Sequence, residues 1–99
     1  MITRHELQQD GGTSFFRYTV STSINRLTEL FGEAMEISFD QDDKVQYEWV
    51  LETSEGVVFT VYDWKEYREV SMYETIEFHI GSHSPRESHI AWQELLEVI

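Results

Sequence analysis

Hydrophobic and polar positions alternate most regularly in the middle of the chain, over residues 44–53. One face of this extended segment carries Val45, Tyr47, Trp49 and Leu51, and the other carries Gln46, Glu48, Val50 and Glu52. A period of two is typical of a β-strand. Residues 57–64 and 75–81 are rich in β-branched and aromatic side chains and are predicted to be the next strands.

The loop Ser54-Glu55-Gly56 joins the first two of these strands and determines their register. A two-residue type I′ turn would require a positive φ at Glu55, so we predict a three-residue loop with Gly56 in the left-handed conformation. The shorter loop would move every side chain of the second strand to the opposite face. The predicted pairs are Thr53 with Val57, Leu51 with Phe59, and Trp49 with Val61.

This register divides the strand residues between a buried face and an outer face. The predicted core consists of Trp49, Leu51, Phe59, Val61, Phe78 and Ile80. The outer face is predicted to carry Glu48, Thr60, Tyr62 and Trp64 from the hairpin, and Glu77 and His79 from the last strand.

Two helices and two further strands complete the predicted elements. Ser21 or Ser23 can cap a helix that runs to Phe31 and ends at Gly32. A second helix begins at the capping box 84–87, which has proline at the first helical position, and continues to the end of the chain. Residues 15–21 are predicted to form a strand before the first helix, and the alternation over residues 35–39 is compatible with a short edge strand.

The order of these elements predicts the fold class. An order of β-α-β-β-β-α indicates a single small α+β domain, with an antiparallel sheet and two helices packed on it. Residues 1–14 are polar and end in a glycine-containing turn. We therefore expect a flexible N-terminal arm over residues 1–14 and one domain over residues 15–99.

The charge of the chain limits the partners that it can bind. The formal net charge is −12, from 19 acidic residues against seven Lys and Arg. Between Leu27 and Gly56 there are nine acids and one base, Lys44. A surface of this sign repels nucleic acid and anionic membranes and attracts a basic protein surface. The alternative, that acidity only keeps a small protein soluble, stays open.

The absence of cysteine from the chain excludes disulfides, thiolate zinc sites and cysteine nucleophiles. A secreted domain of this size usually needs disulfides, so we expect a reducing compartment. Residues 1–12 carry no apolar signal region, and no apolar run approaches the roughly 20 residues of a membrane span. We therefore expect a cytoplasmic protein that does not bind membranes.

The residues that could perform chemistry do not form a reaction or metal-binding motif. His79, His83 and His89 offer three imidazoles, but their spacing places them on a strand, a turn and a helix. The segment 40–43 is rich in aspartate, but a calcium-binding loop that began at Asp40 would need glycine at its sixth position and glutamate at its twelfth. Those two positions hold Val45 and Leu51. No nucleophile motif or phosphate loop is present. We therefore expect no metal, no cofactor and no enzymatic activity.

Tyr62-Asp63-Trp64-Lys65 is the most unusual segment, because it closes a strand with two large aromatic residues. Tyr and Trp are enriched at binding hot spots. The alternative is that Trp64 covers the edge of the core and Asp63 caps the turn. The predicted binding residues are Glu48, Tyr62, Asp63, Trp64, Lys65, His79, Asp40, Asp42 and Asp43.

The strand end Tyr-Asp-Trp-Lys and the later string His-Ile-Gly also carry a resemblance. Residues 48–49, 55–65 and 77–81, about the middle third of the chain, resemble a family of small phage-encoded proteins without an established function. The resemblance implies a protein that works in the cytoplasm of an infected bacterium. By analogy, small acidic phage proteins often block host defences, and some mimic DNA.

Three functions follow as hypotheses. The first is a non-enzymatic inhibitor of a host defence or regulatory protein, in which the acids of residues 29–55 attract a basic surface and Tyr62 or Trp64 anchors it. The second is a small-ligand protein that stacks a nucleotide base on Tyr62, Trp64 and His79, although phosphates prefer Arg or Lys. The third is an enzyme, for which the chain carries no motif. Direct binding of nucleic acid is not expected, and homo-oligomer formation is left open.

Overall fold

The computed structural model describes residues 1–5, 13–34, 36–37, 45–64 and 70–99. In these residues the elements are β1 (Thr3–Arg4), β2 (Ser14–Thr22), α1 (Ile24–Phe31), β3 (Glu36–Ile37), β4 (Tyr47–Glu52), β5 (Val58–Tyr62), β6 (Ile76–Ser82) and α2 (Pro85–Val98). Neighbouring strands are antiparallel in the order β1-β4-β5-β6-β2, and β3 also pairs with β4. The predicted α+β class and element order are confirmed; β3 lies within the possible edge strand over residues 35–39, and β1 is a short addition.

The hairpin between β4 and β5 has the predicted three-residue loop. The amide of Thr53 donates to the carbonyl of Val57 at 2.9 Å, and Gly56 has a φ of 88°. A glycine at this position avoids the steric cost that a side chain would meet in the left-handed region. The register pairs Leu51 with Phe59 and Trp49 with Val61, as predicted.

The inner face of the sheet forms the core together with the two helices. The six predicted core residues have no exposed surface: Trp49, Leu51, Phe59, Val61, Phe78 and Ile80. The apolar stripe of α1 adds Ile24, Leu27 and Phe31, and that of α2 adds Ala91 and Leu95. Burial of a large apolar side chain stabilises a fold by roughly 1.5–3 kcal/mol. This core therefore packs against one face of the sheet and leaves the other face outward.

Both helices begin at serine caps. The Ser23 side chain accepts from the amide of Arg26 at 3.1 Å, so Ser23 is the cap of α1, whereas Ser21 lies inside β2. The Ser84 side chain accepts from the amide of Glu87 at 3.2 Å, which confirms the predicted start of α2. Of the helices in the described part of the chain, neither combines the length and apolar character needed to cross a membrane.

The first residues of the predicted N-terminal arm belong to the sheet. Thr3 and Arg4 pair with the end of β4, and Ile2 is buried in the core. The Arg4 guanidinium donates to the carbonyls of Phe31 at 2.7 Å and Glu33 at 2.6 Å. Backbone pairing and one arginine thus hold residues 2–4, a contribution that hydrophobic periodicity does not reveal. Residues 6–12 of the predicted arm lie outside the described residues.

Candidate functional site

In the part of the chain that the structure describes, four rings gather on the outer face of the sheet, opposite the core. Tyr62 on β5 and His79 on β6 are directly opposed in register, and their neighbours Val61 and Ile80 point into the core. Phe15 of β2 and Trp64, two residues after β5, complete the group, which we call the ring cluster (Phe15, Tyr62, Trp64 and His79). Because β6 lies between β5 and β2, His79 occupies the centre of the cluster.

Three rings of the cluster are nearly parallel. The ring centroids of Phe15 and His79 are 4.0 Å apart with planes at 11°, and those of Trp64 and His79 are 5.9 Å apart at 23°. Tyr62 meets the edges of this stack, at 5.6 Å from His79 and 6.3 Å from Trp64. Stacked and edge-to-face arrangements are the favourable geometries of ring pairs. The rings therefore support one another across three neighbouring strands.

Phe15 reaches the stack because β2 is bulged. Thr19 pairs with His79 and Phe15 pairs with Gly81, so four residue steps on β2 span two on β6. Arg17 lies in this irregular stretch with a φ of 72°, a left-handed conformation that is uncommon for a residue other than glycine. A regular ladder would carry Phe15 past the end of β6. The bulge instead returns Phe15 to the side of His79.

Gly81 allows close packing beside the ring cluster. A Cβ atom at this position would lie 2.6 Å from Oγ1 of Thr60 and 3.4 Å from a ring carbon of Tyr62. The Thr60 hydroxyl also lies 3.5 Å from that of Thr13. Any side chain at residue 81 would therefore displace Thr60 or Tyr62. This close approach is a physical reason for the glycine in the string His-Ile-Gly.

Among the predicted binding residues that the structure describes, Asp63 is the one that is completely buried. Its Oδ1 accepts from the amides of Gln46 and Tyr47, each at 2.8 Å. Within the described residues, Oδ2 is buried without a hydrogen-bond partner. Asp63 therefore joins the turn before β4 to the end of β5 and presents no surface of its own to a partner.

Burial and, second, two neighbouring carboxylates shift the pKa values of two residues in the ring cluster. Burial and, second, the charge of Glu48 opposite it raise the pKa of Tyr62. Burial lowers the pKa of His79, and the charge of Glu77 opposes that shift. His79 is therefore neutral near pH 7, since its ordinary pKa is about 6.5. Both charges that shift these pKa values are negative.

The predicted binding residues thus separate into three groups. Tyr62, Trp64 and His79 come together in the ring cluster, with Glu48 beside them. Asp63 is buried behind the same strand end. The remaining predicted residues, Lys65, Asp40, Asp42 and Asp43, lie outside the described residues.

Phe15 belongs to the ring cluster but was not among the predicted binding residues. Phe15 is 40% exposed, nearly the same as the 39% of Trp64. The double aromatic Phe15-Phe16 at the start of β2 is the sequence signal that could have indicated it. The bulge in β2 determines whether Phe15 or Phe16 stacks on His79. No local sequence pattern indicates that bulge.

The histidines that were considered as zinc ligands do not come together. His79 lies in the ring cluster, the Nδ1 atom of His89 lies 3.1 Å from the Tyr18 hydroxyl, and His83 occupies an exposed bend after β6. Among the residues that the structure describes, no three His, Asp or Glu side chains are grouped to hold a metal ion.

Comparison of the chain with models of known protein families and with curated proteins gives no match. The ring cluster and the charges around it are therefore the basis on which a function can be inferred.

Proposed function

We propose that this chain is a non-enzymatic acidic binding protein that holds a basic protein partner on the outer face of its sheet, around the ring cluster. The observation that carries the proposal is the stack of Phe15, His79 and Trp64, whose end rings are 40% and 39% exposed. Aromatic residues at the centre of a binding surface supply much of the affinity of protein interfaces. A rigid sheet behind the stack reduces the entropy lost on binding.

The charge of the chain supports a basic partner. The formal net charge is −12, and the carboxylates of Glu48 and Glu77 act on the ring cluster itself. Charge of this sign steers a basic surface towards the protein and raises the association rate. The aromatic anchor controls the dissociation rate. The acidic stretch 29–55, which includes Asp42 and Asp43, would contribute mainly to the first of these rates.

The resemblance to phage-encoded proteins supports a host defence or regulatory protein as the partner. Proteins that bind nucleic acid carry basic grooves for the phosphate backbone. An acidic chain that occupies such a groove inhibits the protein by imitating the charge of nucleic acid. The proposed activity is therefore inhibition by occupation of a basic surface, without a chemical step.

A nucleotide ligand is the second candidate, because parallel rings also stack on bases. A base inserted between two rings requires about 7 Å between them, two contacts of about 3.5 Å. The centroid separations on the two sides of His79 are 4.0 and 5.9 Å, so neither side admits a base in this conformation. Seven Lys and Arg against 19 acids also disfavour a phosphate group.

Affinity capture from a bacterial lysate, run in parallel on the wild-type protein and its variants, tests the proposal. The partner captured by the wild type should be lost with Trp64→Ala. It should be retained with Tyr73→Ala, which removes a 78% exposed ring outside the cluster. A partner that binds equally to both variants would show that the ring cluster is not the site.

Kinetics with the purified partner then separate the contributions of charge and rings. Trp64→Ala should speed dissociation by about tenfold or more, as expected when a hot spot of about 2 kcal/mol is lost. The double change Asp42→Asn with Asp43→Asn should slow association at low salt and leave dissociation nearly unchanged. Binding that responds neither to salt nor to these changes would assign the acidity to solubility alone.

A further inference from the structure

The two edges of the sheet differ in how they are covered. At one edge, β4 carries both β1 and β3. At the other, β2 is the longest of the described strands and pairs with β6, and no strand of the described residues lies on its far side. An uncovered edge is a template for pairing with another chain. We infer that two copies of this chain associate through the outer edge of β2, in antiparallel pairing about a two-fold axis.

The hydrogen-bond ladder shows which residues of β2 turn their backbone groups outward. In an antiparallel sheet, successive residues of a central strand bond alternately to the strands on either side. The amide of Thr53 donates to the carbonyl of Val57, so every second residue from Val57 bonds to β4, and Tyr62 bonds to its partner His79 in β6. His79 therefore turns its backbone groups away from β2. Thr19, which is opposite His79, directs its own groups to the open edge.

The regular part of this edge is centred on Val20. The Trp92 indole donates to the Thr19 carbonyl at 3.2 Å, which agrees with the outward direction and leaves that oxygen able to accept a second bond. Ser21 is exposed and shares the edge, since it lies two residues further along. The bulge at Arg17 ends the regular ladder on the other side. Reciprocal bonds between Thr19 of each copy and Ser21 of the other therefore form a symmetric set.

Charge selects this edge as the place where two acidic chains can approach each other. Residues 11–28 contain no aspartate or glutamate, although 19 of the 99 residues are acidic. Two copies that each carry a net charge of −12 repel one another wherever their acids meet. A basic partner finds no acid on this strand. The edge therefore suits a second copy of the chain rather than the basic partner of the ring cluster.

The position of α2 fits the same pairing. α2 packs on β2 and β6, the two strands nearest the new seam. Neighbouring strands are about 4.8 Å apart, so a helix above the boundary between these two strands lies about 10 Å from its copy across the two-fold axis. Packed helices are about 8–10 Å apart. The two copies of α2 thus become neighbours when the two sheets join.

The side of α2 that meets its copy carries large side chains. His89, Trp92 and Leu96 are three and four residues apart, so they share one side of the helix. The rings of His89 and Trp92 contact Tyr18 of β2, which directs this side towards the open edge. Leu96 is 46% exposed, and a second copy of α2 covers it.

The dimer leaves the proposed binding face free. Antiparallel edge pairing keeps the same faces of the two sheets on the same side, so both ring clusters lie on one outer face. The two associations also respond to salt in opposite directions. Screening weakens the attraction of a basic partner, but it reduces the repulsion between two copies of net charge −12.

Sedimentation velocity of the full chain, from micromolar to millimolar concentration, tests the inference. The mass should rise from monomer to dimer with concentration, and more steeply at higher ionic strength. Ser21→Pro removes an outward N–H group without removing a bond to β6, a change that edge strands tolerate, and should stay monomeric. Ser21→Ala is the matched control, because it keeps the N–H group, and should dimerise like the wild type.

Two further measurements keep the test decisive if Ser21→Pro does not fold. In the wild-type protein, the Ser21 amide should exchange with solvent several-fold more slowly in concentrated than in dilute solution. The amide of Glu55, in the exposed hairpin loop, should exchange equally in both. Leu96→Gln should weaken dimer formation several-fold, because it removes apolar surface from the contact between the two helices.

A chain that stays monomeric over the whole range of concentration and salt would overturn the inference. A dimer that Ser21→Pro and Ser21→Ala form equally would place the interface elsewhere and overturn it too. The same holds for a dimer in which exchange of the Ser21 amide does not change. None of these outcomes bears on the proposed function, which fails separately when a captured partner is retained by Trp64→Ala.

Discussion

Each face of the sheet carries paired rings, but the two faces hold their rings in different ways. On the inner face, Trp49 and Phe78 meet edge-on at 6.2 Å, and neither has exposed surface. On the outer face, Phe15 stacks on His79 at 4.0 Å and remains 40% exposed. The inner rings are enclosed by both helices, whereas the outer rings are supported by one another. The difference separates fully buried rings that stabilise the fold from rings that remain partly exposed.

The largest expected effect lies on the inner face, at Phe59. Phe59→Ala should lower the free energy of unfolding by about 3–5 kcal/mol, because the side chain is fully buried and the change leaves a cavity. Denaturant titration measures this loss. A change within about 0.5 kcal/mol, the range of surface substitutions, would contradict the assignment of Phe59 to the core.

The inner face could be predicted because periodicity and turn chemistry agree there. Alternation over β4 and the left-handed requirement at Gly56 together specify which side chains of β5 point inward. One residue more or less in the loop would have exchanged the faces of β5. The same argument correctly assigned Tyr62 to the outer face, opposite Glu48.

The outer face could be predicted only in part, because tertiary contacts determine the rest. The position of Phe15 depends on the bulge at Arg17, which is a property of the paired strands. Asp63 is polar and follows a strand, so sequence alone cannot separate a surface carboxylate from one that accepts two buried amides. β1 was not predicted. Two of its contacts are hydrogen bonds from the Arg4 guanidinium, which hydrophobic periodicity does not reveal.

The next largest effect is expected at Asp63, which is buried directly after β5. Asp63→Ala would leave the amides of Gln46 and Tyr47 without their acceptor. A buried donor without a partner costs about 1–3 kcal/mol, so the loss of stability should be about 2–3 kcal/mol. Asp63→Asn is the matched control, since its amide oxygen can accept the same bonds and should lose less. Equal losses in the two variants, measured by denaturant titration, would contradict this role.

Trp64 tests whether the outer rings contribute less to stability than the inner ones. Trp64→Ala should lower the free energy of unfolding by about 1 kcal/mol, near the centre of the range for single substitutions, because the ring is already 39% exposed. Tyr73→Ala, at a more exposed ring, should change it by less than about 0.5 kcal/mol. A loss at Trp64 as large as that at Phe59 would place Trp64 in the core and remove the distinction between the faces.

The smallest expected effect is a pH dependence that arises from His79. Burial lowers the pKa of His79 in the folded protein, while the unfolded chain keeps the ordinary value of about 6.5. The unfolded state therefore binds the proton more readily when the pH falls below about 6.5. The stability that neutral His79 contributes is complete above that pH and is lost as the pH falls through the folded pKa. His79→Gln should remove this part of the pH dependence.

A comparison of His79→Gln with the wild type isolates this contribution, because both proteins carry the same carboxylates. Urea titrations from about pH 7.5 to about pH 5 give the free energy of unfolding at each pH. Glu77→Gln removes the charge that opposes the shift, so it should lower the pKa of His79 further and steepen the wild-type slope. If His79→Gln keeps the wild-type slope, the ring cluster does not desolvate His79, and the stack is open to water in solution.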